Sequence, residues 1–270
     1  MLGQKIRLNR LLKGEHNCVI AALDAGGFFG PYEGLVDLSA ACDLLKEADA
    51  VLIESGMIDR CRHVFLGENP PVLITRLNWN SDYCFQWKYN GSKTVAAITP
   101  THALSLGAEI GISSLSIGTG NEDTDSENVR LFTSIIEDAQ KAGLPIIGEI
   151  YPPVKEYKDE EFHELIYISC RIAAELGANA IKTFYTGDRF IDIVDSVPVP
   201  VLALGGDKRP KDIYSLKQAE NSIKSGARGV VFGRNLYQAE NPGNFLKALK
   251  EIVNGDITAE DAANKHGLSR

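Results

Sequence analysis

The chain is poor in the residue patterns that build metal sites and disulfide frameworks. Its five cysteines, Cys18, Cys42, Cys61, Cys84 and Cys170, are odd in number, scattered, and never form a C-x-x-C pair. Structural zinc sites and disulfide scaffolds need clustered spacings, so neither is expected. The nearest approach, Cys61-Arg62-His63, offers two donors and no more. Positive charge is also scarce: 28 Lys and Arg stand against 36 Asp and Glu, a formal charge of −8. That balance argues against broad nucleic-acid binding, which needs clustered cations to displace counterions. An anionic ligand must therefore find a local site. No apolar run approaches the length of a membrane span, and the basic opening MLGQKIRLNRLLKGEHN resembles neither a signal peptide nor an anchor. The expectation is a cytoplasmic protein whose partners are neither nucleic acid nor membrane. Also missing is G-x-G-x-x-G at the first strand-to-helix turn, where the chain reads LDAGGFFGP. Its absence counts against a doubly wound dinucleotide-binding sheet.

What is present is alternation. Short apolar runs recur at CVIAALD (18–24), AVLIES (50–55), PVLITRL (71–77), EIGISSLS (109–116), PIIGEIY (145–151), AIKTFYTG (180–187), PVLALGG (200–206) and GVVFGRN (229–235). Amphipathic stretches separate them, among them NVRLFTSIIEDAQKAG (128–143), FHELIYISCRIAAELGA (162–178) and IYSLKQAENSIKSGA (213–227). Their apolar residues recur with a period near 3.6, and a glycine precedes the next strand. Eight βα units in 270 residues predict an α/β fold, a (β/α)8 TIM barrel. With no linker rich in Pro, Gly or Ser, residues 1–270 read as one domain with a short basic N-terminal segment and a C-terminal helical tail. The aromatic connection NWNSDYCFQWKYNG (78–91) fits an active-site lid, an oligomer contact or a loop packed under its own side chains.

In such a barrel the chemistry gathers where the strands end. Asp24 closes the first strand and Tyr151 the fifth, Lys182 sits within the sixth, Gly205 and Gly206 end the seventh, and Gly233 and Arg234 end the eighth. Alternation puts Ile147, Glu149 and Tyr151 on one face, and Ala180, Lys182 and Phe184 on one face of the neighbouring strand. If both faces point inward, Lys182, Glu149 and Tyr151 converge. Lost hydration disfavours the ammonium of an interior lysine and favours the neutral amine, a nucleophile toward carbonyls. A lysine simply paired with Glu149 satisfies the position equally well. The two glycine turns lie where barrels often bind phosphate through backbone N–H groups, and Arg234 can add charge. Two ordinary tight turns are the plain alternative. Tyr151 could move a proton or plug the barrel mouth, and Asp24 could relay protons or cap a turn. Together these features suggest carbonyl chemistry on a phosphorylated substrate.

The segments VIAALDAGGFFGP, GLPIIGEIYPP, AAELGANAIKTFYTGD, PVLALGGDK and GARGVVFGRNLYQ, in order from about residue 7 to 262, carry a resemblance. The chain resembles the archaeal-type class I fructose-bisphosphate aldolases within the deoxyribose-phosphate aldolase superfamily. The resemblance implies Lys182 as Schiff-base lysine, Tyr151 as acid/base and Asp24 as assisting carboxylate. It implies a phosphate site at Gly205, Gly206, Gly233 and Arg234, no metal or other cofactor, and a homo-oligomer; Lys208, beside the first glycine turn, and Glu149, beside Lys182, are further expected substrate contacts. Three positions depart from the family pattern: Ala25 stands for a histidine, Glu149 for a tryptophan and Pro153 for an arginine that helps hold a distal phosphate. Relatives of the aminodideoxyheptulosonate synthase type, the autoinducer-phosphate thiolases and a non-catalytic sugar-phosphate-binding barrel remain alternatives, although YTGD and Tyr151 follow the aldolase pattern.

Overall fold

The computed structural model describes residues 1–269. Eight parallel strands close on themselves: β1 (Cys18–Ala22), β2 (Ala50–Ile53), β3 (Val72–Arg76), β4 (Ile110–Leu115), β5 (Ile146–Ile150), β6 (Ala180–Phe184), β7 (Val201–Leu204) and β8 (Gly229–Phe232). They are hydrogen-bonded in chain order, and β8 returns to pair with β1. Each lies inside one of the eight apolar runs. The residues left over at each run's end belong to the C-terminal loops, where a barrel places its site. Strands of this kind are covered on both faces, so they read as continuous apolar stretches rather than alternating ones.

Two cores result. One lies between the strands and the outer helices; the other fills the barrel and contains Ile20, Leu52, Ile74, Ile112, Ile147 and Leu202. The N-terminal helix Leu2–Leu11 delivers Leu11 and Leu12 to the interior cluster, closing the barrel's lower end. Its side chains are stitched to the βα units: Gln4 donates to the Leu144 carbonyl at 3.1 Å and Arg7 to the Gly143 carbonyl at 3.0 Å. The C-terminal helices Pro242–Val253 and Ala259–His266 pack on the helix Asp212–Lys224.

Helix ends are largely where the periodicity puts them, with one difference. The helix expected from Asn128 begins at Glu122, because the Asn121 side chain accepts from the Thr124 amide at 3.0 Å, and Glu122, Asp123 and Asp125 favour the N-terminal dipole. It stops at Gly143, in the left-handed region at φ 73°. The connection after β3 also has more order than the sequence suggests. Asn78–Asn80 pairs antiparallel with Thr94–Ala96. The Asn78 side chain bonds to both the amide and the carbonyl of Ser114, each at 2.8 Å, fixing this ribbon to β4.

Candidate active site

Register brings the site together. Ser114 pairs with Glu149, and Glu149 with Lys182, so three neighbouring strands point these side chains at one level of the interior. Arg76, two residues beyond the inward-facing Ile74 on β3, joins them, and Asp24 comes from the extension of β1. A polar layer thus caps the apolar barrel. Above it opens a cavity of about 460 Å³ lined by Asp24, Glu149, Tyr151, Lys182, Gly205, Gly206, Gly233 and Arg234, all expected from the sequence. Lys208 does not line it. That side chain, in the loop after β7, bonds to Asp212 at the start of the next helix at 3.4 Å.

Lys182 is 7% exposed and forms an ion pair with Glu149 Oε1. The other carboxylate oxygen, Oε2, receives Arg76 Nη1 at 2.7 Å and the hydroxyls of Ser114, at 3.1 Å, and Tyr83. Burial opposes charge on Glu149, but Arg76 and Lys182 outweigh it and hold the carboxyl well below the usual range. Arg76 also reaches Asp24 Oδ2 through Nε at 2.9 Å and Nη2 at 2.7 Å. Its guanidinium faces the adjoining rings of Phe28 and Tyr83, 5.1 and 5.2 Å from their centroids. A fully buried arginine is tolerated because two carboxylates and two π faces replace its water. Glu54 approaches it at 3.8 Å; burial raises this carboxyl to about 7, with Arg76 pulling the other way.

Sequence reasoning missed Arg76, Tyr83 and Phe28. Arg76 had a signal: a charge ending the apolar run PVLITRL is placed just as Asp24 is. Tyr83 had only its place in the aromatic loop 78–91, read as a lid among other possibilities, since it reaches the interior through the fold of that loop, whose outer residues Phe85, Trp87 and Tyr89 stay exposed.

Tyr151 stands at the rim between Tyr83 and Phe184, with ring centroids 4.1 and 5.5 Å away. Burial pushes its hydroxyl above the ordinary phenol range, with Arg234 opposing, so the group keeps its proton at neutral pH. On the other side of the mouth, Arg234 Nη1 meets Asp207 Oδ1 at 2.6 Å, and Asn235 Nδ2 holds the carbonyls of Gly205 and Asp207 at 3.0 and 2.9 Å. The Gly205 amide bonds to the Val231 carbonyl at 3.1 Å, and a Cβ here would stand 2.9 Å from Phe232. Gly205 therefore serves close packing of β7 on β8, while Gly206 turns the chain at φ 69°.

A barrel with a buried lysine facing its mouth agrees with the comparisons to known proteins. Residues 18–239 match the model of the DeoC/LacD family aldolases. The chain belongs to that family. It is 30% identical over 266 residues to an uncharacterized aldolase of Saccharolobus solfataricus, covering 95% of this chain and 97% of the relative. It is 29% identical over 263 residues to the 3-hydroxy-5-phosphonooxypentane-2,4-dione thiolase of Klebsiella pneumoniae, covering 96% of this chain and 84% of the relative. Among solved structures it superposes, with a TM-score of 0.81 and 28% identity, on an archaeal fructose-1,6-bisphosphate aldolase whose catalytic lysine carries the substrate's carbinolamine intermediate. That match covers 93% of this chain and 100% of the other. The aldolase is thus archaeal-type in fold and family.

Proposed function

We propose that this aldolase works through a Schiff base on Lys182, cleaving or forming a carbon–carbon bond in a phosphorylated ketose, with dihydroxyacetone phosphate as the donor. The observation that carries the reading is a buried Lys182 paired with Glu149 at the floor of a cavity whose rim holds Tyr151 and the Arg234 turn. To react, Lys182 must release a proton to solvent in the open cavity, while Glu149, held ionised by Arg76, keeps the amine in place. The free amine adds to the ketone carbon, and water leaves to give an iminium. Loss of a neighbouring proton, or cleavage of the bond one carbon further out, sends its electron pair into the iminium and forms an enamine. Asp24, which lines the cavity, takes the proton that leaves, and Tyr151, protonated at the rim, donates to the reacting oxygen or carbon. The phosphate takes the place of the exposed Asp207 carboxylate on Arg234, fixing the donor in register.

Enamine formation is testable without knowing the second substrate. In deuterated water, Lys182 should exchange one hydrogen on the hydroxymethyl carbon of dihydroxyacetone phosphate, read by NMR, and Lys182→Ala should not. Exchange that persists in Lys182→Ala sinks the assignment. A second reading, thiolysis of a phosphorylated dione by coenzyme A, is favoured by the 29% identity to the thiolase. It predicts acyl-coenzyme A formation from such a dione.

A further inference from the structure

The two sides of the cavity differ in chemistry. β7, with its turn at Gly206, and the Arg234 turn after β8 form one side. β3 lies four places round the barrel from β7, diametrically opposite, and its loop supplies Tyr83 and Phe85. With Phe28 and Phe29 after β1, Tyr151 after β5 and Phe184 on β6, they form a continuous aromatic wall. Its ring centroids stand 4.4 Å apart for Phe28–Tyr83, 4.1 Å for Tyr83–Tyr151, 5.6 Å for Phe29–Phe85 and 6.5 Å for Phe85–Tyr151.

Among the described residues, no cation on that side is free to take a second phosphate: the basic side chains lining the cavity are Arg76, Lys182 and Arg234. Arg76 is 2% exposed and already shared by Asp24 and Glu149, Lys182 is the proposed nucleophile, and Arg234 belongs to the opposite turn. A phosphate laid on the wall would lose hydration and meet ring faces, whose quadrupole is negative. An apolar side chain would gain burial there at about 25 cal/mol per Å².

We infer that the second substrate is an unphosphorylated aldehyde with an apolar, aromatic or branched aliphatic side chain, held against this wall. The inference rests on the Schiff-base reading of Lys182. In the condensation direction the enamine carbon attacks the aldehyde carbon, forming the carbon–carbon bond. The carbonyl π electrons pass to the aldehyde oxygen, which takes a proton, and water then hydrolyses the iminium to free the product and Lys182.

The test measures kcat/KM for condensation of dihydroxyacetone phosphate with benzaldehyde, 3-methylbutanal and glyceraldehyde 3-phosphate, alongside hydrogen exchange of the donor alone. The two apolar aldehydes should exceed glyceraldehyde 3-phosphate by about tenfold or more. Phe85→Lys, at a position 40% exposed and so tolerant of charge, should narrow that ratio by about tenfold. Preference for glyceraldehyde 3-phosphate with exchange intact overturns the acceptor class and leaves the Schiff base standing. An unchanged ratio in Phe85→Lys overturns the placement of the acceptor on the wall. Loss of exchange in the parent protein overturns both.

Discussion

At the scale of single residues, Arg76 is the side chain on which the site's geometry depends. It holds Glu149 in place for Lys182 and balances Asp24. Arg76→Leu leaves two buried carboxylates without their shared partner, so chemical denaturation should show a loss of about 3–5 kcal/mol. Arg76→Lys should recover only part of this, because an ammonium cannot reproduce the guanidinium's planar fork across two carboxylates. Asp207→Asn makes a contrasting case. Asp207 is exposed and competes for Arg234, so its neutralisation should lower the KM for the phosphorylated donor a few-fold while leaving kcat nearly unchanged. A rise in KM instead would mean that the phosphate does not use Arg234.

At the scale of elements, the barrel depends on how closely β8 approaches β1. Gly229 pairs with Cys18, and a Cβ on Gly229 would lie 2.3 Å from the Cys18 carbonyl oxygen, a backbone atom that cannot turn away. Its φ of 155° is also one that side-chain-bearing residues rarely adopt. Gly229→Ala should therefore cost about 3 kcal/mol or more and lower the melting temperature sharply. Gly14→Ala, where nothing stands within 4 Å and φ is +59°, should cost about 1 kcal/mol through backbone strain alone.

Legibility in the sequence follows the same division between local and distant causes. The eight strands could be read because burial on both faces writes itself into consecutive residues, as in PVLITRL and PIIGEIY. Lys182, Glu149 and Tyr151 could be placed because period-two alternation is local. The direction of Lys208 was not legible, because a lysine beside a glycine turn can bend either way, and Asp212, the carboxylate it meets, lies only four residues on. Tyr83 stayed hidden because its position depends on Asn78 gripping Ser114, a contact between strands that no spacing rule records. For Lys182 the structure shows the ion pair with Glu149 at the floor of the cavity, while its role as nucleophile belongs to the proposed chemistry.

At the scale of the whole molecule, two carboxyls give stability opposite pH slopes. Glu149 has its folded value depressed, so its contribution is present above the ordinary 4.5 and is lost as pH falls below it. Glu54 is raised from 4.5 to about 7, so between those values the folded chain holds a proton that the unfolded chain has released. Stability should therefore decline as pH rises through that window and level off above it. Glu54→Gln should flatten the decline between pH 5 and 7 in urea titrations, an effect on the order of 1–3 kcal/mol. Glu149→Gln should leave that decline in place and remove the acid-side loss.

The proposed chemistry depends on whether Lys182 forms the covalent bond. Borohydride reduction of the protein with dihydroxyacetone phosphate, followed by peptide mapping by mass spectrometry, reads this directly. The account predicts one reduced adduct per chain on Lys182, absent from Lys182→Ala. An unmodified Lys182, or an adduct on another lysine, would contradict it.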